Sequence, residues 1–272
     1  MQQKLLIDGD GLVYWAAFAA QFTRRFVETE YGTECFDTHV DFKNWAFEND
    51  LNWREVEVDK QIVDRGEGVA LGAFDNIMAS VFGEMGVNDY EMYLTGEGNF
   101  RLLLYPQYKG NRSNREDPIH KAAVIEHAIQ RWGAVVVDGM EADDMLCIRA
   151  TALDYEGVET TVVSEDKDMD TFPGNKYSPK RGLWKFVDPY DAFLNFYSQM
   201  LTGDTSDNIP GVRGIGPSKA FNILRECDRD TDMWATVLEY HEQAGYSREF
   251  SITIGKLLHM LRHEKDSWEP PT

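Results

Sequence analysis

Short apolar runs that end at acidic or glycine-rich turns recur along this sequence, and they constrain its fold more than any other feature. The runs occupy residues 5–7, 92–94, 135–137 and 160–163. Short buried strands that alternate with helical patterns are typical of an α/β fold with a mostly parallel sheet. The acidic residues that follow three of these runs are Asp8, Glu141, Asp143, Asp144, Asp166 and Asp168. Because the carboxyl ends of parallel strands share one edge, we expect these carboxylates to converge on one crevice.

The predicted crevice is crowded with negative charge. Asp204 and Asp207 begin the C-terminal part of the chain and are expected to reach the same place. Each cluster alone also fits a turn or a helix N-terminus, but their joint placement favours a shared site. Two like charges about 4 Å apart repel by roughly 4 kcal/mol at an effective dielectric constant near 20, so these carboxylates require bound cations. Oxygen ligands favour Mg²⁺, with Mn²⁺ as a substitute, and two such ions suit hydrolysis of a phosphodiester.

The chain as a whole is acidic, with 47 Asp and Glu residues against 27 Lys and Arg residues and a formal net charge of −20. This balance excludes a generally basic nucleic-acid-binding protein. Between Arg101 and Arg131, however, cations predominate and are interspersed with Tyr105 and Tyr108. Such a segment suits a nucleic-acid strand that stacks on aromatic rings, although a solvated loop can have the same composition.

Three scattered cysteines, Cys35, Cys147 and Cys227, form neither a disulfide framework nor a zinc-binding spacing. This pattern favours a reducing, cytoplasmic compartment. The first apolar run meets Asp8 too early for a signal peptide, and no long uncharged apolar run follows. We therefore expect a soluble monomer without a membrane partner.

Residues 208–219 form a second candidate nucleic-acid site. Their closely spaced glycines allow the backbone to approach a ligand, and Pro217 starts a helix whose free amides would face a phosphate. Neither common phosphate loop fits, since Gly216 is followed by Pro-Ser-Lys and Lys219 stands where a dinucleotide motif needs glycine. The pattern matches a helix-hairpin-helix over 203–224, and a tight turn between helices is the alternative.

The remaining chain is less regular. A helix is predicted with Asp117 as its N-cap, Pro118 at its first position and Gly133 as its stop. Residues 24–86 mix aromatic and acidic side chains, and we interpret them as a helical elaboration of the first crossover. From about residue 197 the pattern is helical to the end.

Together these motifs resemble the 5′-nuclease family of flap endonucleases and 5′–3′ exonucleases, especially the short bacteriophage exonucleases. The resemblance rests on Ile-Asp-Gly-Asp at 7–10, Tyr-Lys-Gly-Asn-Arg at 108–112, Glu-Ala-Asp-Asp at 141–144, Ser-Glu-Asp-Lys-Asp at 164–168 and the segment 203–216. It implies a PIN/resolvase-like catalytic α/β domain over 1–196, with a helical arch over about 105–132. It also implies a helical DNA-binding region over 197–272.

The same resemblance implies roles for individual residues. Two Mg²⁺ ions would be bound by Asp8, Glu141, Asp143, Asp144, Asp166, Asp168, Asp204 and Asp207. Lys109 and Arg112 would contact the scissile phosphate, and Tyr108 would stack on the terminal base. The residues expected to hold duplex DNA, with help from a K⁺ ion at the turn, are Gly211, Arg213, Gly214, Gly216, Ser218, Lys219 and Arg115.

One position departs from the family pattern. Where the family has an aspartate after the second strand, this chain has Gly96, with Glu97 beside it. Either the longer Glu97 side chain substitutes as a metal ligand, or that carboxylate is missing; we expect the first.

The resemblance implies a divalent-metal-dependent 5′–3′ exonuclease or 5′ flap endonuclease that acts on DNA with a 5′ end or flap. Its setting would be bacteriophage DNA replication, recombination or repair, in the host cytoplasm. A protein that binds DNA ends or junctions with weakened nuclease activity is one alternative, motivated by Gly96. A ribonuclease of similar fold is the other.

Overall fold

The computed structural model of the protein describes residues 3–112 and 116–272. The strands in this part of the chain are β1 (Gln3–Asp8), β2 (Gln21–Thr29), β3 (Gly32–Phe36), β4 (Asp59–Asp64), β5 (Tyr90–Thr95), β6 (Val135–Val137), β7 (Glu159–Val163), β8 (Gly174–Ser178) and β9 (Leu183–Val187). The helices are α1 (Gly9–Ala19), α2 (His39–Glu48), α3 (Glu67–Met85), α4 (Phe100–Leu104), α5 (Lys121–Trp132), α6 (Ala142–Tyr155), α7 (Pro189–Thr202), α8 (Pro217–Leu224), α9 (Asp230–Gln243) and α10 (Arg248–Leu258). Short 3₁₀ turns occupy Gly110–Arg112 and Lys167–Thr171.

The chain folds as two compact units. The first comprises Met1–Gly11, Ser80–Glu116 and Trp132–Thr272, and the second comprises Leu12–Ala79 and Asp117–Arg131. The predicted boundary between residues 196 and 197 lies within the first unit and stays a prediction. No helix among the described residues has both the length and the apolar character needed to cross a membrane.

A six-stranded sheet forms the centre of the first unit, in the order β6-β5-β1-β7-β8-β9. The pairs from β6 to β8 are parallel, whereas β9 pairs with β8 in the antiparallel direction. Leu5, Leu6 and Ile7 of the central strand β1 are fully buried, as expected for a strand covered on both faces. The predicted α/β fold with a mostly parallel sheet is confirmed.

Helix α6 packs on this sheet and positions the acidic segment that precedes it. Leu146, Cys147 and Leu153 of α6 lie in one core with Leu6 and Val162 of the strands. Gly139, with φ of +82°, makes the turn that connects β6 to α6. The first turn of α6 therefore starts at the carboxyl edge of the sheet.

The C-terminal part of the first unit is helical. Helices α7 to α10 enclose a core that includes Tyr197, Met200, Trp234 and Ile254. Among the described residues after 188, the only strand-like pairing is an isolated bridge between Asp204 and Ile209. The predicted helical character of this part is confirmed.

The interpretation of residues 24–86 as a helical elaboration is right for α2 and α3 and wrong for the strands β2 to β4. The second unit contains an antiparallel sheet in the order β3-β2-β4, and Val27, Phe36 and Phe42 form a small core with it. Charged residues interrupt the alternation of apolar side chains in these strands, so the period of two that marks a strand is obscured.

Helix α5 starts at Lys121, three residues after the predicted first position at Pro118. The Asp117 carboxylate accepts hydrogen bonds from the Tyr14 hydroxyl at 2.6 Å and from Lys121 Nζ at 3.0 Å, and these bonds occupy the group that was expected to cap the helix. The predicted stop at Gly133 is confirmed, since this residue follows α5 with φ of +66°.

Candidate metal centre

Seven carboxylates from separate stretches of the first unit influence one another electrostatically. Burial raises the pKa of Asp8, Asp143, Asp166 and Asp168, and the charges of neighbouring carboxylates raise it further. Each of the seven groups acts on at least one other or is acted on by it, so the groups lie close together. They are Asp8, Glu141, Asp143, Asp166, Asp168, Asp204 and Asp207, and the charges of Asp10 and Asp144 also act on Asp8 and Asp143. The structure thus brings together all eight carboxylates that the sequence placed in one crevice, although Asp144 is paired with Arg101.

Asp8 is the last residue of β1 and is 6% exposed. Its carboxylate accepts hydrogen bonds from the Ser164 hydroxyl at 2.8 Å and from the Gly11 backbone at 3.3 Å. Burial and the charge of Asp10 raise the pKa of Asp8 to about 7 despite these bonds. A nearby cation would therefore be needed to keep this group fully ionised at neutral pH.

Asp143 lies in the first turn of α6, and its Oδ1 atom is buried without a hydrogen-bond partner. Burial and the charge of Asp8 raise the pKa of this carboxyl well above its usual range. A buried carboxylate oxygen without a donor is costly unless another group, such as a metal ion, satisfies it.

Asp166 and Asp168 enter the cluster from the 3₁₀ turn after β7. The Asp166 carboxylate caps this turn by accepting the Asp168 backbone N–H at 2.8 Å. The Asp168 carboxylate accepts a hydrogen bond from Gln199 Nε2 of α7 at 2.5 Å. Burial and the charge of Asp166 raise the pKa of Asp168 to about 7.

Two predicted phosphate-binding cations contact the cluster directly. Lys109 Nζ forms an ion pair with Glu141 and lies 3.6 Å from an oxygen of Asp207. Arg112 forms an ion pair with Asp207 and also donates to the Ser206 carbonyl at 3.0 Å. Both cations thus stand at the carboxylates that a bound phosphate would approach.

Backbone contacts fix the position of this basic segment. The Lys109 N–H donates to the Asp207 carbonyl at 2.8 Å, and the Asn208 side chain donates to the Gln107 carbonyl at 2.7 Å. Lys109 and Asn208 both have left-handed backbone conformations, with φ of 53° and 59°. Such conformations are uncommon outside glycine and persist where the surroundings enforce them.

Asp204 is 3% exposed and tied into its own loop. It accepts hydrogen bonds from the Ser206 backbone at 2.6 Å and from Lys167 Nζ at 3.1 Å. Burial acts to raise the pKa of Asp204, but hydrogen bonds from Ser206 and Lys167 hold it below its ordinary value. This carboxylate therefore remains charged and fixed.

Tyr108 does not have the exposure needed to stack on a DNA base. It is 4% exposed and lies in the core of the C-terminal helices. Its hydroxyl donates to Asp207 at 2.8 Å and contacts Glu141 at 3.2 Å. The expected stacking role is corrected: the apolar ring packs in the core while its hydroxyl positions two carboxylates of the cluster.

Asp144 is also corrected, because it is fully buried and bound to a cation of the chain. Arg101, itself 2% exposed, donates two hydrogen bonds to the Asp144 carboxylate at 2.5 and 2.9 Å. Arg101 also donates to the Leu257 carbonyl at 2.8 Å and the His259 carbonyl at 3.0 Å. The sequence assigned Arg101 to the basic nucleic-acid segment, whereas the structure uses it to join α6 to the C-terminal chain.

The expectation that Glu97 substitutes for the missing aspartate stays a prediction. The Glu97 side chain is exposed and makes no hydrogen bond or ion pair among the described residues, whereas its backbone N–H donates to Asp138 at 2.7 Å. The same Asp138 oxygen would lie 2.1 Å from a Cβ at position 96, so the carboxylate occupies the space of a side chain there.

The sequence did not lead us to Asp10, which lies next to Thr95 and therefore near Gly96, where the family has an aspartate. Its carboxylate oxygens accept the Thr95 backbone N–H at 3.2 Å, and its charge raises the pKa of Asp8. The Asp-Gly-Asp motif at 8–10 is the sequence feature that could have indicated a role for Asp10.

The glycine-rich segment splits into a packed part and an exposed part. A Cβ on Gly211 would lie 2.1 Å from the Thr202 backbone, so this glycine allows two chain segments to cross. Beyond it, the exposed residues are Arg213, Gly214, Gly216, Ser218 and Lys219. Gly216 precedes α8 as its N-cap, and Lys219 Nζ lies 3.4 Å from the Gly214 carbonyl. Arg115, the remaining predicted DNA contact, lies outside the described residues.

The residues of the cluster fit a hard divalent cation. Within residues 3–112 and 116–272, no three Asp, Glu, His or Cys side chains are arranged to bind one metal ion. Instead, Lys109, Lys167 and Arg112 form ion pairs with several of the carboxylates. The donor atoms are nevertheless all oxygens, one of which is buried without a partner on Asp143. A divalent ion would offset the burial and the mutual repulsion that raise the pKa values of Asp8 and Asp168.

Comparison with known proteins relates part of this chain to nuclease sequences. Residues 63–176 match the N-terminal, resolvase-like domain of 5′–3′ exonucleases. DNA polymerase I of Rhizobium leguminosarum is 32% identical over 147 residues, which cover 48% of this chain and 14% of that protein. The thermostable DNA polymerase I of Thermus filiformis is 33% identical over 141 residues, covering 47% and 17%. The chain therefore aligns with about one sixth of the length of these curated relatives.

The fold is shared with solved structures of bacteriophage T5. A T5 flap endonuclease in a complex with DNA and metal ions has a TM-score of 0.63 and 17% identity, over 94% of this chain and 89% of that one. A T5 5′-exonuclease variant has a TM-score of 0.60 and 16% identity, over 95% and 88%. The resemblance to the 5′-nuclease family is thereby confirmed over residues 63–176, which match the N-terminal domain of 5′–3′ exonucleases in sequence, and the T5 structures show a shared fold.

Proposed function

We propose that the protein is a divalent-metal-dependent 5′ nuclease that hydrolyses phosphodiester bonds in DNA, either as a 5′–3′ exonuclease or as a 5′ flap endonuclease. The observation that carries this proposal is the convergence of seven carboxylates beside Lys109 and Arg112. Acidic oxygens suit metal ions, and the adjacent cations suit a phosphate. The polymerase relatives and the fold shared with the T5 nucleases support the same assignment.

The proposed ligands for two Mg²⁺ ions are Asp8, Glu141, Asp143, Asp166, Asp168, Asp204 and Asp207, with Asp10 as an added carboxylate beside Asp8. When bound, the ions would supply Lewis-acid stabilisation of the charge that develops on the phosphate oxygens. Mn²⁺ has the same preference for oxygen ligands and would substitute.

The protein's own residues position the substrate. Lys109 and Arg112 would turn from Glu141 and Asp207 to the phosphate oxygens once metal ions neutralise those carboxylates. Tyr108 would hold the same two carboxylates in place through its hydroxyl. Ser164 would orient Asp8.

The exposed part of the glycine-rich segment would hold the duplex. Gly214 and Gly216 leave the backbone open to a phosphate, and the N-terminus of α8 with Ser218 and Lys219 adds hydrogen-bond donors and positive charge. The backbone of residues 211–216 would hold a K⁺ ion, which would supply positive charge to the DNA phosphates. We propose that the protein acts in bacteriophage DNA replication, recombination or repair. It would act as a monomer in the host cytoplasm.

A cleavage assay with matched variants of α6 tests the proposal. Asp143→Asn removes a cluster carboxylate with a buried oxygen, whereas Asp154→Asn removes an exposed one from the other end of the same helix. With Mg²⁺ and a 5′-labelled flap duplex, we expect Asp143→Asn to lose about 100-fold or more of the cleavage rate and Asp154→Asn to lose less than about 2-fold. Retained cleavage by Asp143→Asn, or preferential cleavage of RNA, would contradict the proposed function. Flap and blunt substrates in one time course separate endonuclease from exonuclease action.

A further inference from the structure

The second unit contains a groove that the proposed nuclease chemistry does not use. It lies between the β2–β3 hairpin and the segment formed by α2 and residues 51–57, and it has a volume of about 580 Å³. All of its lining residues fall between 27 and 57. We call this feature the acidic groove.

The charge of the acidic groove has one sign. Glu28, Glu30, Glu34, Glu55 and Glu57 line it, and no Lys, Arg or His is among the lining residues. The two basic residues between 28 and 59 are Lys43 and Arg54, and both place their cationic groups over the Trp53 ring, at 4.3 and 5.2 Å from its centre. The same interval has ten acidic residues, of which Asp37 is paired with Arg24, so the groove keeps a net negative charge.

One wall of the groove is apolar and partly open to solvent. Tyr31 at the hairpin turn is 91% exposed and Leu51 is 45% exposed, although both line the groove. Trp45 lies deeper and is held by Phe36, with ring centres 5.3 Å apart. Tyrosine and tryptophan are the side chains that most often contribute binding energy at protein interfaces.

The negative charge and the apolar wall of the groove together indicate which kind of molecule would bind there. A nucleic acid would be repelled by the five glutamates, and a second copy of this chain also has a net charge of −20. A peptide segment with alternating basic and apolar side chains would pair with the glutamates and bury its apolar side chains against Trp45 and Leu51. We propose that the acidic groove is the docking site for a basic, partly apolar segment of a partner protein.

The test uses the full chain and two labelled twelve-residue peptides, one alternating Lys with Leu and the other alternating Glu with Leu. Binding is measured by fluorescence anisotropy at low and at physiological salt. The variant Glu30→Gln/Glu34→Gln/Glu57→Gln changes three groove carboxylates that make no hydrogen bond within the described residues. The matched control is Asp154→Asn/Glu156→Gln/Glu239→Gln, which removes the same charge from exposed positions of the first unit.

We expect the Lys-Leu peptide to bind and the Glu-Leu peptide not to bind. The groove variant should weaken binding about 10-fold, which corresponds to about 1.4 kcal/mol, and the control variant less than about 2-fold. Leu51→Ser, which keeps the charge, should also weaken binding. Equal loss in both triple variants, or unchanged binding by Leu51→Ser, would show attraction by overall charge alone and overturn the proposal. Binding is measured without DNA or metal, so its outcome is independent of nuclease activity.

Discussion

The buried pair of Arg101 and Asp144 gives the sharpest stability prediction. The two side chains are 2% and 0% exposed and are joined by two hydrogen bonds, so neither charge is solvated by water. Arg101→Met would leave the Asp144 carboxylate buried without its cation. Breaking one side of a buried ion pair costs about 3–5 kcal/mol, and we expect a loss in this range.

Equilibrium urea unfolding followed by tryptophan fluorescence measures this loss. Arg149→Met is the matched control, because the Arg149–Glu91 pair is 33% and 21% exposed and should contribute about 1 kcal/mol or less. Adding Asp144→Asn to Arg101→Met removes the unpaired charge, so the double variant should be more stable than Arg101→Met alone. A loss below about 1 kcal/mol for Arg101→Met, or a double variant less stable than the single one, would refute this reasoning.

Three further predictions concern other buried positions. Burial lowers the pKa of Lys176, whose Nζ has no hydrogen-bond partner in the described residues, from 10.5 to about 8. The unfolded chain therefore binds a proton that the folded chain has released between about pH 8 and 10.5, so stability should rise by up to about 3 kcal/mol across this range. Lys176→Met should abolish the rise in urea unfolding measured at each pH, and an unchanged pH profile would contradict the assigned cause. Gly211→Ala should lower the melting temperature by several degrees, since its Cβ would meet the Thr202 backbone at 2.1 Å, and an unchanged melting temperature in calorimetry would disprove that close approach. Tyr108→Phe should keep the fold by circular dichroism but slow cleavage of a 5′-labelled duplex by about 10-fold, because Asp207 loses a 2.8 Å hydrogen bond; wild-type rates would exclude the positioning role.

The parts of this fold that the sequence predicted share one property: each has a recognisable pattern of residues within a short stretch of the sequence. The buried strand β1 is a continuous apolar run, and Asp8 ends it. Parallel strands then determine where the following acids meet, so the convergence of Asp143 and Asp168 with Asp8 follows from topology. The helical C-terminal part likewise carries a clear apolar period.

The features that the sequence did not predict depend on tertiary partners. Asp143 and Asp144 are neighbours with the same chemistry, but only the position of Arg101 decides which one faces the cluster. Tyr108 is an aromatic residue in a basic segment, and its burial depends on packing against helices nearly a hundred residues away. Strand β8 reads Gly-Asn-Lys-Tyr-Ser and Lys185 interrupts the apolar residues of β9, so both strands lack the continuous apolar run that marked β1, β5, β6 and β7.

Divalent-ion binding to the carboxylate cluster tests the central claim most directly. Isothermal titration of the full chain with Mn²⁺, with electron paramagnetic resonance to count bound ions, requires neither DNA nor turnover. We expect two ions per chain, with loss of at least one in Asp143→Asn and Asp168→Asn and no loss in the exposed Asp154→Asn. Binding of two ions with unchanged affinity by both Asp143→Asn and Asp168→Asn would show that the cluster is not the metal centre.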